Sequence, residues 1–470
     1  MRSKALLIVF VLCLSSLLQA QDFDRYLLSQ RDISGTARYV AMGGAFAALG
    51  GDVSAITDNP AALGVFRHGE LSLTIDYQYT ASHSSATMPY TNVLRLPQFS
   101  CVFGWGKEDK QVGLLRSNFA VQYHRVRSYN RSYATSSVQP FSQTDLIAEL
   151  TKDVDPLSLN AGNDVWDDVS IGWLSVMGYD CGVIVPDTVN IGTWYSVLTE
   201  NENVQANTQV KETGSADEYT FSYGANIANR FYWGLSVNLF TLKHNKTVSY
   251  SEAFKQGGGY SYVTSVSATA VGGSASIGFL YRPVTSFRMG AALFTPTTTY
   301  LRISNTVDYG DVSSPQNTLS FDKYYLPARL TTGVAWQFTT KGLLSLEYDW
   351  RCPVKNVLPA EHTLKIGGEY VVKNNWFFRM GYSYKSAFAK TDFYFMPGTT
   401  DTRTDTEFFN PKGVHYAGLG LGFRNQRWYC DLAYQYRMEK MDFYAHCYQS
   451  TPDVLQLSSH RIILTIGLTR

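Results

Sequence analysis

After its first twenty residues the chain lacks any stretch approaching the roughly 20 apolar residues that a helix needs to cross a bilayer. Its mean hydropathy is −0.15, so a helical membrane protein is excluded. It lacks a Pro- or Ser-rich linker, so nothing divides its 470 residues, although that length ordinarily implies two or three domains. It lacks an excess of either charge: without Arg2 and Lys4, its 40 basic residues become 38 against 39 acidic. A near-neutral chain argues against nucleic acid as a partner. Cysteine is scarce. Beyond Cys13 there are Cys101, Cys181, Cys352, Cys430 and Cys447, an odd number with no CxxC or metal-ligand spacing, so no disulfide framework, metal site or cofactor is indicated. Cys352 and Cys430 fall in strand patterns, where a free cysteine acts as a small hydrophobe. Catalytic signatures are absent too: no Gly-x-Ser-x-Gly elbow, no His-Glu-x-x-His and no Walker-type loop. The eight histidines are scattered. An enzyme is not expected.

Arg2 and Lys4 precede an apolar run from Ala5 to Leu14 and a small-residue end, Ser15 to Ala20. This predicts a secretory signal peptide over 1–20, cleaved after Ala20; Val11 and Leu12 before Cys13 do not fit a lipoprotein site. A compact segment, Ser34 to Gly64, follows. It holds the glycine pairs Gly43-Gly44 and Gly50-Gly51, the small residues Ala41, Ala45, Ala47 and Ala48, and Asn59-Pro60-Ala61. Glycine pairs permit close backbone approach and positive φ, and Asn-Pro favours a turn. The segment is expected to pack tightly inside something.

From Gly69 onward period-two alternation takes over. Leu344, Leu346, Tyr348 and Trp350 share one face, with Ser345, Glu347, Asp349 and Arg351 opposite; Trp428, Cys430, Leu432, Tyr434 and Tyr436 alternate with Tyr429, Asp431, Ala433, Gln435 and Arg437. Aromatics make up 14% of the chain, with 32 tyrosines, and they gather near strand ends as an interfacial girdle does. A soluble sandwich also alternates, but rarely with so many charges on one face. The predicted strands are 69–80, 92–105, 111–128, 217–228, 231–250, 260–282, 286–306, 326–338, 342–352, 362–372, 375–386, 414–424, 427–439 and 459–469. Short connections (106–110, Asn229-Arg230, Pro283 to Thr285, Thr339 to Lys341, Lys373-Asn374, Asn425-Gln426) alternate with long ones. That regularity predicts an all-β, transmembrane antiparallel barrel of about fourteen strands over 69–470, with residues 21–68 as an N-terminal hatch in its lumen. The long loop 129–216 is too long to be structureless. A short helix is expected from Asp145 to Leu150. A second apolar stretch carries Trp166, Ile171, Trp173, Leu174 and Met177. It either forms the core of a folded lid or offers an apolar site at the mouth, for which Trp166, Trp173 and Met177 are the candidates. A lumen-facing pair such as Glu347 with Arg379 reads as charge-balanced lining.

Met42-Gly43-Gly44-Ala45-Phe46, Asp52 to Ala55 and Asn59-Pro60-Ala61 with Leu63 resemble the N-terminal signature of the long-chain fatty-acid transporter family of Gram-negative outer membranes, the FadL type that includes the aromatic-hydrocarbon channels. Leu326-Pro327-Ala328-Arg329-Leu330 and the Gly-aromatic hairpins around Gly367 to Tyr370 and Gly418 to Phe423 resemble it as well. The resemblance covers most of the chain, loop 129–216 least. It implies a fourteen-stranded barrel with a hatch, in the cell outer membrane, that passively takes up hydrophobic small molecules and releases them sideways through a kinked third strand. On that basis Gly43, Gly44, Asp52, Asn59, Pro60 and Ala61 are the ligand and gating candidates, and Arg116, Ser117 and Asn118 the candidate kink. The implied partners are a hydrophobic ligand and outer-membrane lipid, and the expected state is a monomer. Two departures stand out: the chain ends in Arg470 where such barrels usually end in an aromatic, and loop 129–216 is unusually long. The alternative reading is a surface-binding or adhesion barrel for heme or a host molecule, with no transport.

Overall fold

The computed structural model describes residues 28–84, 89–106, 112–160, 162–198, 202–354, 359–373, 375–387 and 394–470. The expected signal peptide, the start of the hatch and residues 107–110 of the expected connection 106–110 lie outside the described residues.

The alternating segments form fourteen staves. The first two are β1 (Glu70–His83) and β2 (Tyr90–Gly106). The third is split into β3 (Leu114–Ser128) and β4 (Arg131–Gln139). A small hairpin, β5 (Ile184–Pro186) with β6 (Trp194–Ser196), lies outside the ring. Three tall staves follow: β7 (Val204–Ile227), β8 (Phe231–Phe254) and β9 (Gly259–Val284). The seventh stave is β10 (Phe287–Phe294) with β11 (Thr297–Tyr309). After the short β12 (Val312–Ser313), the eighth is β13 (Asn317–Leu326) with β14 (Arg329–Trp336), interrupted at Pro327. The last six are β15 (Gly342–Arg351), β16 (Glu361–Lys373), β17 (Trp376–Lys385), β18 (Phe408–Arg424), β19 (Trp428–Tyr444) and β20 (Asp453–Thr469). Neighbouring staves are antiparallel, and β20 pairs with β1 from Glu70↔Thr469 to His83↔Gln456. Pairing of the last stave with the first closes the ring, as a sheet in hydrocarbon requires.

Burial is inverted relative to a soluble protein. Leu346 is 44% exposed and faces outward, whereas its neighbour Glu347 is 1% exposed and faces the lumen. The same holds around the ring, with Leu73, Phe221, Val237, Ile366, Leu432 and Ile466 outside and Thr74, Thr220, Asn238, Lys365, Asp431 and Thr465 inside. An apolar outer belt around a polar interior is the signature of a barrel that spans a membrane.

Four staves begin six or more residues earlier than the alternation predicted. β7 starts at Val204 rather than 217, β13 at Asn317 rather than 326, β18 at Phe408 rather than 414, and β20 at Asp453 rather than 459. On β7 the reason is a reversal of the pattern. Below Asp217, Tyr219, Phe221 and Tyr223 face out; above it Asn207, Gln209 and Lys211 face out while Val204, Ala206 and Val210 are buried. The tall staves thus leave the bilayer near Asp217 and continue as the wall of a water-soluble cap.

Residues 129–216 are accordingly not one loop. They hold β4, α2 (Gln143–Leu150), α3 (Pro156–Leu159), α4 (Trp173–Asp180), the β5–β6 hairpin and the top of β7. Ser142 caps α2 by accepting from the Thr144 amide at 3.0 Å, with Asp145 completing a capping box. Trp166, Trp173 and Met177 are buried with Leu146, Ile147 and Trp194 against the inner face of the tall staves. Their positions are those of a folded lid's core.

One residue of this cap carries a pH prediction. His446, in the turn after β19, is fully buried, and burial lowers its pKa from 6.5 to about 4. The unfolded chain binds a proton there between pH 6.5 and 4 while the folded cap does not. Stability therefore falls as pH falls through that window, by an amount on the order of 3 kcal/mol. Proteolysis of the cap should accelerate from pH 7 to 4.5, and His446→Phe should flatten that dependence.

Candidate functional site: the hatch and its seat

The hatch is built from three short, side-chain-capped turns. Thr36 caps α1 (Ala37–Ala41). Asp52 caps the turn Val53–Thr57, accepting from the Ser54 amide at 2.9 Å and from the Thr36 hydroxyl at 2.8 Å. Asn59 caps the turn Pro60–Val65, where proline occupies the first helical position and needs no donor. Gly43, Gly44, Gly50 and Gly51 all have φ between +62 and +75°, the left-handed region that glycine enters without cost. The sequence candidates thus have defined places: each forms a turn or a cap in a segment that lies almost wholly buried inside the ring.

The wall receives this segment on glycines. Where β8 and β9 pass Pro60, a Cβ on Gly234 would lie 2.4 Å from the Pro60 carbonyl, and one on Gly278 would lie 2.0 Å from Asn59 Oδ1. Asn59 Nδ2 donates to the Phe279 carbonyl at 3.1 Å and to the Ala47 carbonyl at 2.7 Å, so one side chain ties the hatch to itself and to β9. On the far side, Gly367, Gly381 and Gly418 face Met42 and Ala41 in the same way. Sequence reading noted some of these glycines only as hairpin residues; their inward face in the alternation was the available signal.

Charge completes the seat. Arg38 donates to Glu369 at 2.8 and 3.0 Å, and Arg379 bridges Glu369 and Asp431 at 2.6 Å each. Glu347 Oε2 accepts from the amides of Phe46 and Ala47 at 2.8 and 2.7 Å, while its Oε1 meets Lys365 at 2.6 Å. Glu347 and Arg379 thus have separate partners instead of pairing with each other. Asp58, Glu347 and Asp349 bring three carboxylate oxygens within 4.8 Å of one another. Lys365 lies 3.4 Å from Asp58, and Arg329 lies 3.0 Å from Asp349 and 3.4 Å from Asp58. Two cations already answer this cluster, so it reads as an ion-pair network that anchors the hatch.

Among the described residues the hatch fills the space beside its seat closely. The cavities between hatch and wall have volumes of about 30, 40 and 40 Å³, room for one or a few waters.

The wall is irregular beside the hatch, and one register shift on the β7 side adjoins the expected kink at Arg116 to Asn118. Arg116, Ser117 and Asn118 pair regularly with Gly106, Trp105 and Gly104; Asn118 Nδ2 instead donates to the Leu63 and Phe66 carbonyls of the hatch at 2.7 and 3.0 Å. A bulge sits next to them at Leu115, on the β7 side. The ladder between β2 and β3 stops at Gln98↔His124. The next β2 residue is Pro97, which has no amide hydrogen to donate. The β1–β2 register shifts at this level, the β3–β7 register shifts between Arg125 and Arg127, and β3 gives way to β4 after Ser128. Among the described residues no ladder joins β2 to the third stave above this point. Behind this interruption, which Thr91 Oγ1 bridges by donating to the Asn130 carbonyl at 3.2 Å, lies the 30 Å³ cavity, lined by Asp32 of the hatch and by six arginines: Arg95, Arg125, Arg127, Arg131, Arg437 and Arg461. Pro97 inside a strand pattern was the sequence signal that marked this place.

These features define a plugged, fourteen-stranded, membrane-spanning β-barrel. No protein-family model and no curated protein matches the sequence. Solved structures match in fold. A Pseudomonas aeruginosa FadL homologue is 11% identical, with 93% of this chain and 99% of that one covered and a TM-score of 0.56. The Pseudomonas putida toluene transporter TodX is 13% identical, over 93% and 99%, with a TM-score of 0.53. The Ralstonia pickettii toluene transporter TbuX is 13% identical, over 93% and 98%, with a TM-score of 0.51. The chain therefore has the FadL-type fold.

Proposed function

We propose that this protein is an outer-membrane channel, working as a monomer, for the passive inward passage of hydrophobic small molecules, with lateral release into the membrane between β2 and the third stave. The observation that carries the reading is the interruption of the ladder at Pro97, directly beside the hatch. An apolar solute gains about 0.8 kcal/mol for each methylene it buries, so a sideways path from lumen to bilayer needs no energy input. The arginines of the cavity behind this interruption already face Asp32, Asp76, Glu212, Asp217 and Glu439; once the hatch moves and carries Asp32 away, they favour an acid-headed amphiphile such as a long-chain fatty acid over an uncharged hydrocarbon. The residues proposed to gate the path are Asn59, Pro60 and Ala61, with the turns at Gly43-Gly44 and Asp52 holding the hatch in register. The test is uptake of labelled oleate, toluene, heme and a sugar by cells lacking their own transporter of this type. Expression of the protein should raise oleate uptake severalfold and leave sugar uptake unchanged. Pro60→Ala should reduce the oleate signal although the barrel still inserts. Normal oleate uptake by the variant would refute gating by this turn.

The folded cap favours one second reading, a barrel that binds a surface ligand such as heme or a host molecule. Deleting 142–198 removes the cap helices while sparing β4 and β7. Loss of ligand binding with hatch variants silent would select this reading over transport.

A further inference from the structure

The near-neutral balance of the whole chain hides two ends of opposite charge. From 142 to 198, in the cap, Lys152 is the only basic residue, whereas Glu149, Asp153, Asp155, Asp167, Asp168 and Asp180 are all exposed. The opposite end of the barrel is basic. Arg67 stands before β1, Arg230 between β7 and β8, Arg282 near the end of β9, Lys341 between β14 and β15, Lys373 at the end of β16 and Arg427 between β18 and β19. Acidic side chains close to these turns in sequence are engaged by other groups. Glu70 accepts from the Tyr429 hydroxyl at 2.6 Å, and Arg379 donates to Glu369 and to Asp431 at 2.6 Å each. Among the described residues none of the turn cations is ion-paired.

The cations also share one depth, because each stands beside an outward aromatic. Arg230 precedes Phe231, Arg282 follows Tyr281, Arg427 precedes Trp428, and Lys373 pairs with Trp376. Trp336 and Phe338, with ring centroids 6.0 Å apart, lead into the turn of Lys341. Aromatic girdles sit at the level of the lipid head groups, and one residue along a strand advances only about 3.3 Å. The cations are therefore placed among phosphates. At the seam between β20 and β1 the rim is continuous: the Thr469 amide donates to the Arg427 carbonyl at 2.9 Å and the Arg470 amide to the Gly69 carbonyl at 3.0 Å, which brings Arg427, Arg470 and Arg67 side by side.

We propose that this rim binds anionic phospholipids of the periplasmic leaflet, each phosphodiester meeting a turn cation. The short turns of an outer-membrane barrel face the periplasm, and the leaflet on that side is the one built of phospholipid. Basic side chains at a membrane surface attract anionic head groups, and a guanidinium can grip a phosphate through two parallel hydrogen bonds. A phosphatidylglycerol head keeps its negative charge, whereas the ammonium of phosphatidylethanolamine cancels it, so the rim prefers the former. A soluble protein is the less suitable partner, since short turns beside the girdle do not project beyond the head groups.

The test uses the full-length protein in neutral detergent, titrated by native mass spectrometry with dioleoyl phosphatidylglycerol or dioleoyl phosphatidylethanolamine. Wild type should retain phosphatidylglycerol at least fivefold better. Arg67→Gln/Arg230→Gln/Lys341→Gln/Arg427→Gln should reduce that preference to less than twofold. Lys152→Gln/Lys255→Gln/Lys323→Gln/Lys440→Gln, which removes as many exposed cations from the cap end, should keep it. Glycerophosphoglycerol, the same head without chains, should not be retained. Heat-dependent gel migration verifies that both variants fold, and no readout involves oleate, so the outcome is independent of the transport reading. Equal retention of the two lipids by wild type, an undiminished preference in the rim variant, an equal loss in the cap-end variant, or retention of the chain-free head as strong as that of the lipid would each overturn the proposal.

Discussion

Gly381→Leu should convert a closed barrel into a conducting one. Gly381 lies on the inner face of β17 between Gly367 and Gly418, and a Cβ there would stand 2.2 Å from the Met42 carbonyl carbon and 2.3 Å from the Gly43 amide nitrogen. Both are backbone atoms of a turn fixed by two left-handed glycines, so no side chain can swing aside to make room. The wall's own hydrogen bonds are untouched, so the barrel still closes and inserts; the hatch has to leave its seat. Overpacking of this kind costs about 1–3 kcal/mol, a shift of roughly five- to 150-fold toward the unseated state. Ion conductance across a planar bilayer reads that shift directly: wild type should be closed and the variant should leak. A closed variant would show that the hatch tolerates displacement without opening a path.

Arg379→Leu should cause the largest loss of stability among single lumen changes. The side chain is 1% exposed and bridges Glu369 and Asp431. Glu369 keeps Arg38 at 2.8 Å, but Asp431 is fully buried and would lose the cation it faces. Breaking a buried pair from one side costs about 3–5 kcal/mol, whereas replacing both members by apolar groups is often close to neutral. The unfolding midpoint in guanidinium should therefore fall sharply for Arg379→Leu and recover in large part for Arg379→Leu/Asp431→Leu. Equal losses in the single and double variants would mean that Asp431 is not what the arginine holds.

The barrel was legible because lipid forces every second side chain outward and apolar, and the alternation of Leu344 to Arg351 or of Trp428 to Arg437 can be read without the structure. Fourteen staves with alternating connections followed from that rule alone. The rule failed where the solvent changes. Above Asp217 the outward residues Asn207, Gln209 and Lys211 face water, so the upper half of β7 carried the opposite pattern and read as loop. The hatch was legible as glycine pairs and capping residues, since those fix local backbone. Its seat was not. Which carboxylate meets Lys365, and which glycine faces Met42, depends on register across the ring, information that one chain read in order does not hold. The kink was sought at Ser117 as a break in the outward series. A register shift on the β7 side does adjoin Arg116, and the longer interruption of the ladder lies at Pro97 on the neighbouring stave, where an amide donor is missing.

The claim that the hatch gates the passage can be tested by fastening it. A Cβ on Gly333 of β14 would lie 3.4 Å from the Ala47 Cβ, close to the roughly 3.5–4.5 Å that a disulfide spans. The variant Ala47→Cys/Gly333→Cys, with the five native cysteines changed to serine, can be oxidised to lock the hatch to the wall and reduced to release it. Labelled-oleate uptake should fall to the level of cells without the protein on oxidation and return on reduction. Equal uptake by the locked and released forms would contradict the account.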